Sequence, residues 1–82
     1  MIKIDFTTKP TIPKYILDSH EYKYLFDENG KLHSYNDLPA VIQPDGTKWW
    51  HKHGVLHRDN NLPSVMYSWG KKEYWENGVR IK

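Results

Sequence analysis

The stretch "GVLHRDNNLPSV", residues 54–65, restates an earlier one, "GKLHSYNDLPAV", residues 30–41, at an offset of 24. The alignment needs no gap and runs on to a further glycine. Gly30, Leu32, His33, Asn36, Leu38, Pro39, Val41 and Gly46 match Gly54, Leu56, His57, Asn60, Leu62, Pro63, Val65 and Gly70. Lys72, Gly78 and Val79 then repeat Lys48, Gly54 and Val55, a truncated third copy. A fixed period between about 20 and 50 residues is the signature of a repeat architecture, in which one unit cannot bury its apolar face alone.

Each unit reads as two short strands. "YKYLF", "KWWHK" and "KEYWE" are rich in the aromatic residues that suit a pleated surface, and "PAVIQ" and "PSVMY" supply the second strand. Turn signals separate them: "ENG" before Lys31, "PDG" before Thr47, "HG" before Val55, "WG" before Lys71 and "ENG" before Val79. Pro39 and Pro63 lack an N–H and belong at strand starts. No stretch shows helical periodicity. The segment "TIPKYILDSHE", residues 11–21, reads either as strand and turn or as one helical turn after Pro13. These signals predict a mainly β protein: a single antiparallel sheet of 24-residue hairpin repeats. One domain covers residues 1–82, with a cap segment at 1–21, repeat 1 at 22–47, repeat 2 at 48–71 and a partial repeat 3 at 72–82. The strand "IKIDF", residues 2–6, is the expected edge cap.

Strand alternation assigns the faces. Phe26, Trp50 and Tyr74 stand 24 residues apart and are expected to form the core with Leu38, Ala40, Ile42, Leu62, Ser64 and Met66. The opposite face then carries Leu25, Trp49, His51, Trp75, Val41, Val65 and Tyr67. A single-layer sheet cannot bury both faces, so one aromatic surface is expected to remain for a partner or for a second core under residues 7–21.

Composition narrows the functional classes. The chain has no cysteine, so neither a disulfide nor a cysteine zinc site staples it. No stretch is apolar enough to span a membrane, and no signal-peptide pattern opens it, so the expected location is cytoplasmic. The mean hydropathy is −0.85, yet 15% of residues are aromatic, which is compatible with a small core of large side chains. Residues 1–41 hold five Lys against six Asp and Glu; residues 42–82 hold seven Lys and Arg against four. A net charge of +2 is too small to indicate nucleic-acid binding by electrostatics alone.

The unit "DGTKWWHKHGVLHRDNNLPSV" resembles MORN-type repeats, β-hairpin units built around glycine and aromatic positions. It is closer to the divergent W-x-x-x-G-x-x-H-R-x-x-x-x-P-A units of small proteins from large bacteriophages and other large viruses. Trp50, Gly54, His57, Arg58 and Pro63 carry that pattern, over a resemblance covering residues 22–82. Standard MORN units have a Tyr-x-Gly-x-Trp core, whereas this chain pairs Trp49 with Trp50. The resemblance implies a hairpin-repeat fold and a binding role, in a phage-type accessory protein that acts on a host protein. It transfers no catalytic residue.

Trp49, Tyr67, Trp69 and Trp75 are the sharpest functional signal, because Trp and Tyr anchor protein interfaces. His51, Arg58, Lys71 and Lys72 complete the expected binding set. Trp69 occupies a turn position where the first unit has Asp45. The expected function is a non-enzymatic module that inhibits or adapts a protein partner through its aromatic face. The alternative is RNA or single-stranded nucleic acid on the same aromatics with the C-terminal Lys and Arg. "HKHGVLH" gathers His51, His53 and His57, but no Asp or Glu lies inside the run, so polar strand ends are favoured over a metal site. His33 and His57 recur and are read as turn-stabilising imidazoles rather than catalysts. No phosphate loop, catalytic triad order or paired carboxylates are present, so no enzyme, cofactor or metal is expected. An open C-terminal edge and a thin core favour a homodimer.

Overall fold

The structure, a computed structural model, describes residues 14–82. The expected capping strand at residues 2–6 lies outside them. Ten two-residue strands follow in order: β1 (Ile16–Leu17), β2 (Lys23–Tyr24), β3 (Val41–Ile42), β4 (Lys48–Trp49), β5 (His51–Lys52), β6 (Val55–Leu56), β7 (Val65–Met66), β8 (Lys72–Glu73), β9 (Trp75–Glu76) and β10 (Val79–Arg80). All pairings are antiparallel. The mainly β architecture is as expected, but it is divided. A six-stranded ladder runs β1-β2-β3-β4-β7-β8, and β5–β6 and β9–β10 form separate hairpins.

The division has a backbone cause. Trp50 donates its N–H to Ser64 O in the ladder at 2.8 Å, while its carbonyl accepts from His57 N–H in its own hairpin at 3.1 Å. Leu25 does the same with Ala40 O and His33 N–H, whereas Tyr74, between β8 and β9, bonds Lys82 O and Ile81 N–H, both beyond β10 in its own hairpin. The first two hairpins therefore branch from the ladder at one residue each, and the third follows the ladder strand β8 after Tyr74. Phe26 was expected to stand beside Trp50 and Tyr74, but Leu25 takes that place. The hairpin after Leu25 turns through three residues, with Asp27 N–H bonded to Lys31 O and Gly30 N–H to Asp27 O. The other two turn through two residues, His53-Gly54 (φ 47° and 89°) and Asn77-Gly78 (φ 52° and 82°). That is the positive-φ pair of a tight primed hairpin turn, and Gly is the residue that adopts it without strain. One extra residue in the first turn shifts the branch point back by one.

Branching also changes the core. The buried apolar side chains are Leu25, Ala40, Val41, Trp50 and Val65, joined by Asp27, Thr47, Ser64 and Glu73. Leu25, Val41 and Val65 had been placed on the open face. Leu38 and Leu62, expected in the core, are exposed, and Phe26, Ile42, Met66 and Tyr74 are only part-buried. The buried residues come from more than one face of the chain. On one, Val41, Trp49, Val65 and Glu73 are cross-strand neighbours in a single row with Tyr24. On another, Trp50 is 5% exposed and donates its indole N–H to Asp37 O at 2.9 Å. Arg58 lies over that ring, 3.8 Å from its centroid, and bonds both oxygens of Asp37 at 2.9 Å and Pro63 O at 3.0 Å.

Adjacent hairpins are tied sideways, by bonds spaced 24 residues apart. His33 Nδ1 accepts the N–H of His53, and His57 Nδ1 accepts that of Asn77, both at 2.9 Å. Leu32 O accepts Gly54 N–H and Leu56 O accepts Gly78 N–H. The segment at residues 14–21 is the strand-and-turn alternative. β1 is followed by a turn in which the Asp18 carboxylate accepts the N–H groups of His20 and Tyr22 and the hydroxyl of Tyr24. It extends the sheet as a neighbour of β2.

Candidate binding surface

Three of the expected binding residues, Tyr67, Lys71 and Trp75, meet around Glu73, joined by Arg80. Tyr67 OH donates to Glu73 Oε2 at 3.1 Å, and Trp75 Nε1–H donates to Oε1 at 3.0 Å. Lys71 Nζ lies 3.7 Å and Arg80 Nη1 3.8 Å from Oε2. The Trp75 bond, above all, holds the Glu73 carboxyl below its ordinary pKa, although burial opposes this. Burial and the bond to Glu73 push the Tyr67 phenol up. Trp49 meets Tyr67 edge-on with ring centroids 6.1 Å apart, and its indole N–H donates to Gln43 Oε1 at 3.0 Å. Gln43 in turn donates to Tyr22 OH at 3.1 Å. A polar-tipped aromatic row thus runs from Tyr22 to Trp75.

Trp69 stands at its outer end, 68% exposed, its ring 4.6 Å from that of Tyr67. It occupies a loop closed like the one at residues 44–46. Tyr67 N–H bonds Lys71 O and Gly70 N–H bonds Tyr67 O, as Gln43 N–H bonds Thr47 O and Gly46 N–H bonds Gln43 O. In the earlier loop the middle residue is Asp45, whose carboxylate accepts the Thr47 N–H at 2.9 Å and the Ser68 hydroxyl at 3.2 Å. Trp69 can offer no such bond. The broad exposed aromatic face expected from the sequence narrows to Trp69 and the half-buried rings of Trp49, Tyr67 and Trp75 behind it.

The remaining expected residues lie elsewhere. Lys72 belongs to the opposite row, Lys23, Ile42, Lys48, Met66 and Lys72. Arg58 is locked onto Asp37 and Trp50, its side chain 13% exposed. His51 lines a separate cleft with His33, Ser34, Lys52 and His57. Glu73 and Gln43, which organise the aromatic row, carried no sequence signal beyond being polar residues at strand ends.

The histidine run does not converge. His53 bonds Asp27 at 2.6 Å and stacks on His33 at 4.1 Å, while His57 bonds Asp59 at 2.7 Å. Among the described residues, no group of three or more His, Asp or Glu side chains could hold a metal ion. No helix among them is long and apolar enough to cross a membrane. Comparison with protein-family models, characterised proteins and solved structures gave no match.

Proposed function

We propose that this chain is a non-enzymatic protein-binding module that docks a protein partner through Trp69 and the aromatic row behind it. The observation that carries the reading is the residue at the tip of the 68–70 loop. A large apolar ring stands 68% exposed where the matching loop uses Asp45 to bond its own backbone. Local stability favours the Asp, so the fold gives no reason for a Trp there. Trp and Tyr are both enriched among interface anchors. Sideways bonds recurring at 24 residues are in keeping with a chain of hairpin repeats; in the same proposal the module is MORN-like and phage-type, acting on a host protein in the cytoplasm.

The test uses the full chain and Trp69→Ala. Proteins captured from a host lysate by the wild type are identified, and one lost with the variant is purified and titrated against both. The reading expects loss of binding with an unchanged circular dichroism spectrum, and little dependence on salt. Binding that survives Trp69→Ala refutes it. A ligand whose affinity falls log-linearly and steeply with salt is instead a nucleic acid held by phosphate contacts.

A further inference from the structure

A cleft of about 350 Å³ lies beside the sideways-linked hairpins, lined among others by His33, Ser34, His51, Lys52, Asp37 and Asp59. The residues on its wall divide by what their hydrogen-bonding groups already do. Its two carboxylates are engaged. Arg58 donates to both oxygens of Asp37, and Asp59 Oδ1 is bonded by His57 Nε2 at 2.7 Å. His57 has no free nitrogen, because its Nδ1 accepts the Asn77 N–H.

The donors are left over. Ser34 Oγ accepts the His51 N–H at 3.1 Å, which leaves its own proton unassigned. His33 Nδ1 accepts the His53 N–H, so the neutral ring carries its proton on Nε2. His51 Nδ1 is buried with no partner. A bare acceptor is less costly there than an orphaned N–H, which assigns the His51 proton to Nε2 as well. Lys52 is exposed and pairs with no carboxylate among the described residues.

We infer that this cleft binds a small oxyanion of the phosphate class, held by the Lys52 ammonium, the Ser34 hydroxyl and the Nε2–H groups of His33 and His51. The site is independent of the Trp69 surface. Its chemistry is that of an acceptor-rich ligand meeting a wall of donors, on which Asp37 is paired with Arg58 and Asp59 is hydrogen-bonded by His57. Burial lowers the pKa of both His33 and His51, so near neutral pH the rings act as uncharged donors and Lys52 supplies the charge.

The experiment is a titration of the full, isotope-labelled chain with inorganic phosphate at pH 7.5. Sodium chloride is exchanged out at constant ionic strength, and the imidazole nitrogens and backbone amides are followed by NMR. Phosphate is taken to about 20 mM, well above a weak millimolar Kd. Saturable shifts are expected at His33, His51 and Ser34 and not at His20, which lies outside the cleft. The exposed Lys52→Ala should keep the fold and weaken binding about fivefold, the size of one screened ion pair. Sulfate and O-phosphoserine arms distinguish a free inorganic ion from a phosphate monoester, either of which supports the site. Absence of saturation, an equal response at His20, or unchanged binding by Lys52→Ala overturns it.

Discussion

Replacing Arg58 by Ala should destabilise the fold by roughly 3 kcal/mol, although the residue looks like a surface cation in the sequence. The structure gives the magnitude piece by piece. The guanidinium sits 3.8 Å from the Trp50 centroid, and a cation–π contact with its side chain mostly desolvated contributes about 1 kcal/mol. The Nη1–H bond to Pro63 O, at 3.0 Å, contributes about 1 kcal/mol net. The two-pronged pair with Asp37 is discounted, because the Asp37 side chain is 56% exposed; it is worth about 1 kcal/mol at most. Lysine cannot reproduce the fork or the flat stack, so Arg58→Lys should recover less than half of the loss. Urea unfolding followed by Trp fluorescence measures both variants. For a domain of this length each 1 kcal/mol lowers Tm by roughly 4–8 °C, so Arg58→Ala should melt at least about 12 °C lower. A cycle with Asp37→Ala should show coupling near 1 kcal/mol. An Arg58→Ala protein within about 0.5 kcal/mol of wild type would mean that the stack and fork are not maintained, and the reasoning would fail.

Other outcomes follow from the same contacts. Trp50→Ala removes the most buried large ring and orphans Asp37 O; it should cost about 3–5 kcal/mol and leave little folded protein by near-ultraviolet circular dichroism. Trp69→Asp should change stability by no more than about 0.5 kcal/mol, since it restores the Asp45 arrangement while losing an exposed contact; a loss above about 2 kcal/mol would show that Trp69 serves the fold. Acid should weaken the protein in two stages. Burial holds His33 and His51 below the ordinary 6.5, so the unfolded chain takes up their protons first, and their contribution is complete above 6.5 and lost as pH falls through the folded values. Asp27, held at about 2 chiefly by His53 against an ordinary 3.8, contributes above 3.8 and loses that contribution as pH falls through about 2. Urea midpoints that stay flat from pH 8 to 5 would contradict the first stage. Sedimentation equilibrium reads the homodimer expected from the thin core: twice 9.8 kDa supports it and 9.8 kDa throughout refutes it.

The hairpin architecture was legible because its punctuation is local. His53-Gly54 and Asn77-Gly78 turn where the dipeptides say they should, and Trp50 is buried as its position implied. What local pattern could not show was the branch. Alternation assumes one continuous strand, and the chain leaves the ladder at Leu25, Trp50 and Tyr74. Val41, Trp49 and Val65 share a face as alternation placed them, but that face is buried rather than open, and an extra residue at the first turn put Leu25, not Phe26, level with Trp50. The candidate site was half legible. Trp69 stood out against Asp45, but Lys72 and Arg58 were grouped with it by charge alone, and only register and hydrogen bonding separate them. His33 and His57 were read as turn-stabilising from their recurrence, and each accepts a backbone N–H from the turn of the next hairpin.

The docking surface is the central claim, and the two faces of the ladder allow a direct test. Affinity for the captured partner is measured by calorimetry for wild type, Trp69→Ala and Lys72→Ala. An interface anchor is worth about 2 kcal/mol or more, so Trp69→Ala should raise Kd by roughly 30-fold or beyond, while Lys72→Ala, on the opposite row, should leave it within about twofold. Equal losses from both variants, or a larger one from Lys72→Ala, would contradict the account.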